Sequence, residues 1–168
     1  LFNIRICHAF RNQILDLMSK LELTFGMPNS GWLPTKLKTS DIALTFNASN
    51  IPENPIDQLC ESLILALNGI ETEMNWDLEP ESYIFGLKPS GKEIDFNILK
   101  SGGLTKKRTL IYKLNGDFQS VILPMYRSLK KFNSLEYKKT DWTKIDQTKL
   151  DKLTKLVADR KNYLQHRL

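Results

Sequence analysis

Hydrophobic and polar positions along the chain fall into two periods, two and about 3.6, and the switches between them mark the predicted elements. Phe2, Ile4 and Ile6 alternate with polar residues, a short strand signal. Phe10, Ile14, Leu17, Met18 and Leu21 then fall on one helical face. Gly26 to Gly31 is loop chemistry. Trp32 to Phe46 reads as extended, with Pro34 at an edge or an irregular start and Ile42, Leu44 and Phe46 in clean alternation. The strongest helix signal begins at Asn54, whose side-chain oxygen can accept from the free amides of a first turn. Pro55 suits the first helical position, and Asp57 complements the positive end of the helix dipole. Ile56, Leu59, Cys60, Leu63, Ile64 and Leu67 form its apolar face, and Asn68-Gly69 is a left-handed stop.

Strands follow. Thr72, Met74, Trp76 and Leu78 alternate with Glu71, Glu73, Asn75 and Asp77, which predicts one buried and one acidic face. Tyr83 to Phe85 and Ile94 to Ile98 are strand runs joined by a Pro-Ser-Gly turn, and Thr109 to Leu114 is a further strand after the Ser101-Gly102-Gly103 link. Phe118 to Phe132 is helical, with Pro124 imposing a late start or a kink. A last helix starts at Asp146, where Ile145 and Leu150 can staple the cap; Leu150, Leu153, Val157 and Leu164 make its apolar stripe. These elements predict a single α+β domain over residues 1–168, a mainly antiparallel sheet of about five or six strands packed with three or four helices.

Composition narrows the class. Apolar residues make up 41% and charged residues 26%, which excludes a disordered chain, and no apolar run is long enough to cross a bilayer. No N-terminal stretch has the three parts of a secretory signal, and two cysteines without metal or disulfide spacing suit a reduced compartment; the expected location is cytoplasmic. Charge adds a division. Between Thr39 and Leu87 there are nine acids and no Lys or Arg, whereas from Ile122 onward there are twelve basic residues and five acids. Such asymmetry bears on partners rather than on fold.

Candidate chemistry is sparse. Gly86 to Lys92 matches G-x-x-x-x-G-K, but Glu93 stands where a phosphate-binding loop needs Ser or Thr, and a strand follows where it needs a helix; a hairpin turn is expected. Cys7 and His8 are sequence neighbours and so point to different sides of a strand or helix. With only His8 and His166 and two scattered cysteines there is no zinc spacing, and no enzyme activity, metal or cofactor is expected. The acids from Glu71 to Glu81 could be general acid–base carboxylates, but a row on the exposed face of one strand is more simply a solvated face or, as the functional alternative, a docking surface for a basic partner. The lysines of the last helix suit a solvated amphipathic helix or, as the alternative function, a nucleic-acid-binding module.

An extended segment ends in Phe46-Asn-Ala-Ser-Asn-Ile-Pro-Glu-Asn-Pro-Ile-Asp-Gln-Leu59, an apolar helix closes on Leu67-Asn-Gly69, and Asn75-Trp-Asp-Leu-Glu-Pro-Glu-Ser-Tyr83 leads into a hairpin. In this order of signals the chain resembles, over about Trp32 to Phe132, the small immunity proteins of bacterial polymorphic-toxin and contact-dependent growth inhibition systems. The resemblance implies a cytoplasmic toxin inhibitor that binds the C-terminal toxin domain of a delivered effector and blocks it. Many such toxins are nucleases, which tend to be basic. By charge, the candidate partner contacts are Glu71, Glu73, Asp77, Glu79 and Glu81, with Asp57 and Glu61 as neighbours.

Overall fold

The computed structural model describes residues 21–102 and 107–166. The expected N-terminal strand, the helix from Phe10, and the Cys7–His8 pair lie outside the described residues. Strands β1 (Glu22–Phe25), β2 (Trp32–Lys38) and β3 (Ala43–Ser49) form one antiparallel sheet in that order. Strands β4 (Thr72–Asp77), β5 (Ser82–Ser90), β6 (Glu93–Ser101) and β7 (Arg108–Asp117) form a second, a four-stranded meander. Helix α1 (Pro55–Leu67) connects the sheets, and α2 (Leu123–Asn133) and α3 (Gln147–Gln165) follow them. The α+β class stands. The single sheet of five or six strands is corrected to two sheets, of three and four strands.

Helix boundaries follow from local chemistry. Asn54 Oδ1 accepts the Ile56 N–H at 3.0 Å, and Pro55 occupies the first turn, where no donor is lost. Gly69, with φ of +79°, ends α1 in the left-handed region. Asp146 Oδ1 accepts from the Thr148 and Lys149 amides at 2.8 and 3.3 Å, so α3 starts where expected. Ile145 and Leu150, the two staple residues, are both buried. Before α2 the chain makes one π-helical turn, Phe118–Ile122. Asp117 and Ser120 cap it reciprocally: the Asp117 N–H donates to Ser120 Oγ (2.8 Å) and the Ser120 N–H to Asp117 Oδ1 (2.9 Å). Pro124 therefore marks a late start of the α-helix, not a kink.

The β5–β6 hairpin is longer than the Pro-Ser-Gly turn predicts. Pairing continues to Ser90 and Glu93, leaving Gly91-Lys92 as a two-residue turn with Gly91 at φ +62°. Pro89 is tolerated because β4 ends opposite Leu87, so the missing N–H costs no ladder bond. Strand β1 was not legible: it is four residues long and buries Leu23 alone, too little for a periodicity.

Among the described residues both sheets and the three helices share one core, in which Trp76 and Trp142 are the largest fully buried side chains. Phe46 of β3 joins the sheets: its ring lies 5.9 Å from Trp76, 5.1 Å from Tyr83 and 6.4 Å from Phe85. The α2–α3 connection is tied to the β1–β2 turn, where the Gly31 N–H donates to the Asp141 carbonyl (3.0 Å) and the Ser30 N–H to its carboxylate (3.1 Å).

Candidate functional site

Strand alternation gives the four-stranded sheet two faces. Met74, Trp76, Phe85, Leu87, Ile94, Phe96 and Ile98 belong to the core. The opposite, outer face is set by the register of the strands. One row across it is Glu73, Gly86, Asn97 and Lys113. The next is Asn75, Ile84, Leu99 and Leu110, and the third is Asp77, Ser82, Ser101 and Arg108. The middle row is apolar from β5 to β7. Ile84, Leu99 and Leu110 stand apart from the core cluster, and Leu110 is 56% exposed.

A bulge builds that row. Ile98 pairs with Tyr112 and Leu99 with Leu110, so Ile111 is an extra residue in β7. Without it Leu110 would share the core-side parity of Tyr112 and Leu114. Gly86 makes room in the row above for the Asn97 side chain: a Cβ there would lie 2.5 Å from Asn97 Oδ1.

The acids predicted as contacts divide into three groups. Glu71, Glu73 and Asp77 line the β4 side of the outer face. Glu79 and Glu81 lie in the turn between β4 and β5; Glu79 Oε1 accepts from Ser49 Oγ at 2.6 Å, and Glu81 pairs with Lys100 at 2.8 Å. Asp57 and Glu61 sit on α1, away from the outer face. Glu61 meets Lys149 of α3 at 3.4 Å. Asp57 lies where the first turns of α1 and α3 meet, and burial raises its pKa against the lowering effect of the Asp146 backbone N–H. Burial also pushes the neighbouring Cys60 thiol up to about 11, with Asp57 adding to the effect. Such a thiol is a poor nucleophile.

The acidic middle of the sequence is not free of cations in space. Lys88 lies 3.3 Å from Glu71, cross-strand from it. Arg108 Nη1 donates to Glu73 Oε2 at 2.8 Å. Arg108 and Glu73 belong to the rows on either side of the apolar one, and to opposite edge strands, so their bridge crosses the apolar row above Ile84 and Leu99. Within that row Ile84 is only 6% exposed, so Leu110 is its open end. Lys113 approaches Asp95 at 3.6 Å on the β7 side. Among the described residues Asp77 has no cation: Asn75 Nδ2 donates to its Oδ2 at 3.0 Å, and burial raises its pKa.

The β4 edge is closed to pairing partway along, because the Asn75 N–H donates to Gln58 Oε1 of α1 at 2.8 Å. Sequence reasoning found the acids of β4 but missed Ile84, Leu99, Leu110 and Arg108, which complete the surface. Among the described residues no cluster of His, Cys, Asp and Glu could hold a metal ion, and no helix is long and apolar enough to cross a membrane. No protein family, no curated protein and no solved structure matches the chain.

Proposed function

We propose that this chain is an immunity protein that binds a basic toxin domain through the outer face of its four-stranded sheet and so blocks it. The observation that carries the reading is the outer face itself: an apolar row, Ile84, Leu99 and Leu110, rimmed on one side by Glu71, Glu73 and Asp77. An apolar centre with a charged rim is the usual anatomy of a specific interface. The resemblance of residues 32–132 to toxin-system immunity proteins supplies the class of partner, and the acids supply the charge that a nuclease-like surface complements.

The Glu73–Arg108 bridge gives the interface a mechanism. An exposed ion pair of this kind is worth less than about 1 kcal/mol, so a partner's Lys or Arg can displace Arg108 from Glu73. Displacement frees the Glu73 carboxylate for the partner's cation. The partner to test is the product of a toxin-like reading frame directly upstream of the gene. With Glu73→Lys and Asp77→Lys together, affinity should fall more than tenfold and protection of toxin-expressing cells should be lost. Arg108→Ala should bind as tightly as wild type or more tightly. Unchanged affinity after the double reversal rejects the acidic-face mechanism.

A further inference from the structure

Away from the outer face, a cleft runs between the second half of α3, the end of α1 and the β5–β6 turn. It has a volume of about 360 Å³ at its largest part, lined by Gly91, Lys92, Phe118, Arg160, Tyr163 and Leu164. Two adjoining hollows of about 230 Å³ each share Arg160 with it, one reaching Leu67 and Ile94 and the other Leu156. It shares no lining residue with the apolar row of the outer face.

Helix spacing makes one wall. Leu156, Arg160, Tyr163 and Leu164 stand at i, i+4, i+7 and i+8 and so share one face of α3. The amphipathic last helix therefore also carries one aromatic ring beside its cations. The Arg160 guanidinium lies 5.7 Å from the Tyr163 ring centroid, and Tyr163 is 45% exposed. The hairpin turn brings Lys92 to the same cleft. Gly91 at φ +62° sets that turn, so the glycine and lysine of the G-x-x-x-x-G-K string meet a cleft although they build no phosphate loop.

Charge selects the occupant. Lys88, Lys100, Arg108, Lys113 and Lys149 each reach a carboxylate within 4.0 Å, whereas neither Lys92 nor Arg160 does among the described residues. Asp117, the acid in the lining, accepts from the Ser120 N–H and hydroxyl through Oδ1. Glu93 accepts from Asn115 at 3.4 Å on the outer side of the sheet, and Asp159 borders only the hollow beyond Arg160. Two cations with no carboxylate partner among the described residues, beside an apolar and aromatic lining, suit a ligand with an anionic end and a flat apolar body. A cleft of this size is within the roughly 300–1,000 Å³ range of small-molecule sites.

We infer that this cleft binds a small anion carried on an aromatic ring, of the size of a nucleoside monophosphate. Lys92 and Arg160 hold the anion and Tyr163 stacks on the ring. The test is a backbone-amide NMR titration of the full chain with AMP, run beside adenosine, inorganic phosphate and a short oligothymidylate. Saturable shifts centred on Gly91, Lys92, Phe118 and Tyr163 are expected with AMP, with adenosine and phosphate at least tenfold weaker. Lys92→Ala with Arg160→Ala should weaken AMP more than tenfold at an unchanged melting temperature, and Tyr163→Ala should weaken AMP without affecting phosphate. Absence of saturable shifts at these residues, or adenosine matching AMP, overturns the site. So does an oligonucleotide that binds there more than tenfold tighter than AMP, which makes it a strand-binding surface instead.

Discussion

Asp57 shows how one residue can satisfy a sequence pattern and still have a different role. Its place in the first turn of α1 suits the helix dipole, yet its surroundings penalise its charge. Burial is the largest effect and raises its pKa; the Asp146 N–H and Lys149 lower it, while Asp146 and Glu61 raise it again. Its Oδ1 has no hydrogen-bond partner among the described residues. The sign of the linkage follows. A carboxyl whose folded pKa exceeds its unfolded value binds more protons when folded, so its contribution to stability falls as pH rises from about 3.8 through the folded pKa. Asp57→Asn removes that loss and keeps an oxygen for the Asp146 N–H. The variant is expected to melt higher than wild type at pH 7, with the difference shrinking toward pH 3.5. Thermal unfolding followed at several pH values checks this, and a variant that melts lower at pH 7 contradicts it.

Among the elements, the helices were the most legible because their ends are set by neighbours in sequence. Asn54-Pro55 and Asp146 begin α1 and α3 through bonds spanning two or three residues. Strand order is set by partners far apart in sequence, and alternation is silent about it, which is why one sheet was expected and two are found. The candidate site divides the same way. The acidic face of β4 is visible as an alternation, but the cation on Glu73 comes from Arg108, two strands beyond its neighbour, and the bulge at Ile111 breaks the parity that would place Leu110. The π-helical turn after β7 depends on another close approach. A Cβ on Gly116 would meet Ser120 Oγ at 2.6 Å and Val121 Cγ2 at 2.7 Å. Val121 is fully buried and Ser120 is held in the reciprocal cap, so neither can yield freely. Gly116→Ala is expected to cost about 1–3 kcal/mol, the usual range for overpacking. Denaturant unfolding measures it, and a neutral substitution means the turn relaxes.

For the molecule as a whole, the question is whether two sheets that share no backbone ladder behave as one folding unit. The packing argues that they do. Phe25 of β1 stacks on Trp76 of β4 at 5.9 Å and meets Phe132 of α2 edge-on at 5.6 Å, while Phe46 of β3 touches three aromatic rings of β4 and β5. Neither sheet can lose its partner without exposing these rings to water, and each aromatic side chain buries roughly 150–250 Å². Unfolding should therefore be a single transition, with tryptophan fluorescence and far-ultraviolet dichroism coincident. Phe46→Ala tests the coupling at its centre. Large-to-small changes of a buried Phe cost about 3–5 kcal/mol, and a loss of that size shared by both probes keeps the sheets in one unit. If the two probes separate in the variant, the two sheets no longer unfold as one unit. The outer face proposed for partner binding would then rest on the meander alone.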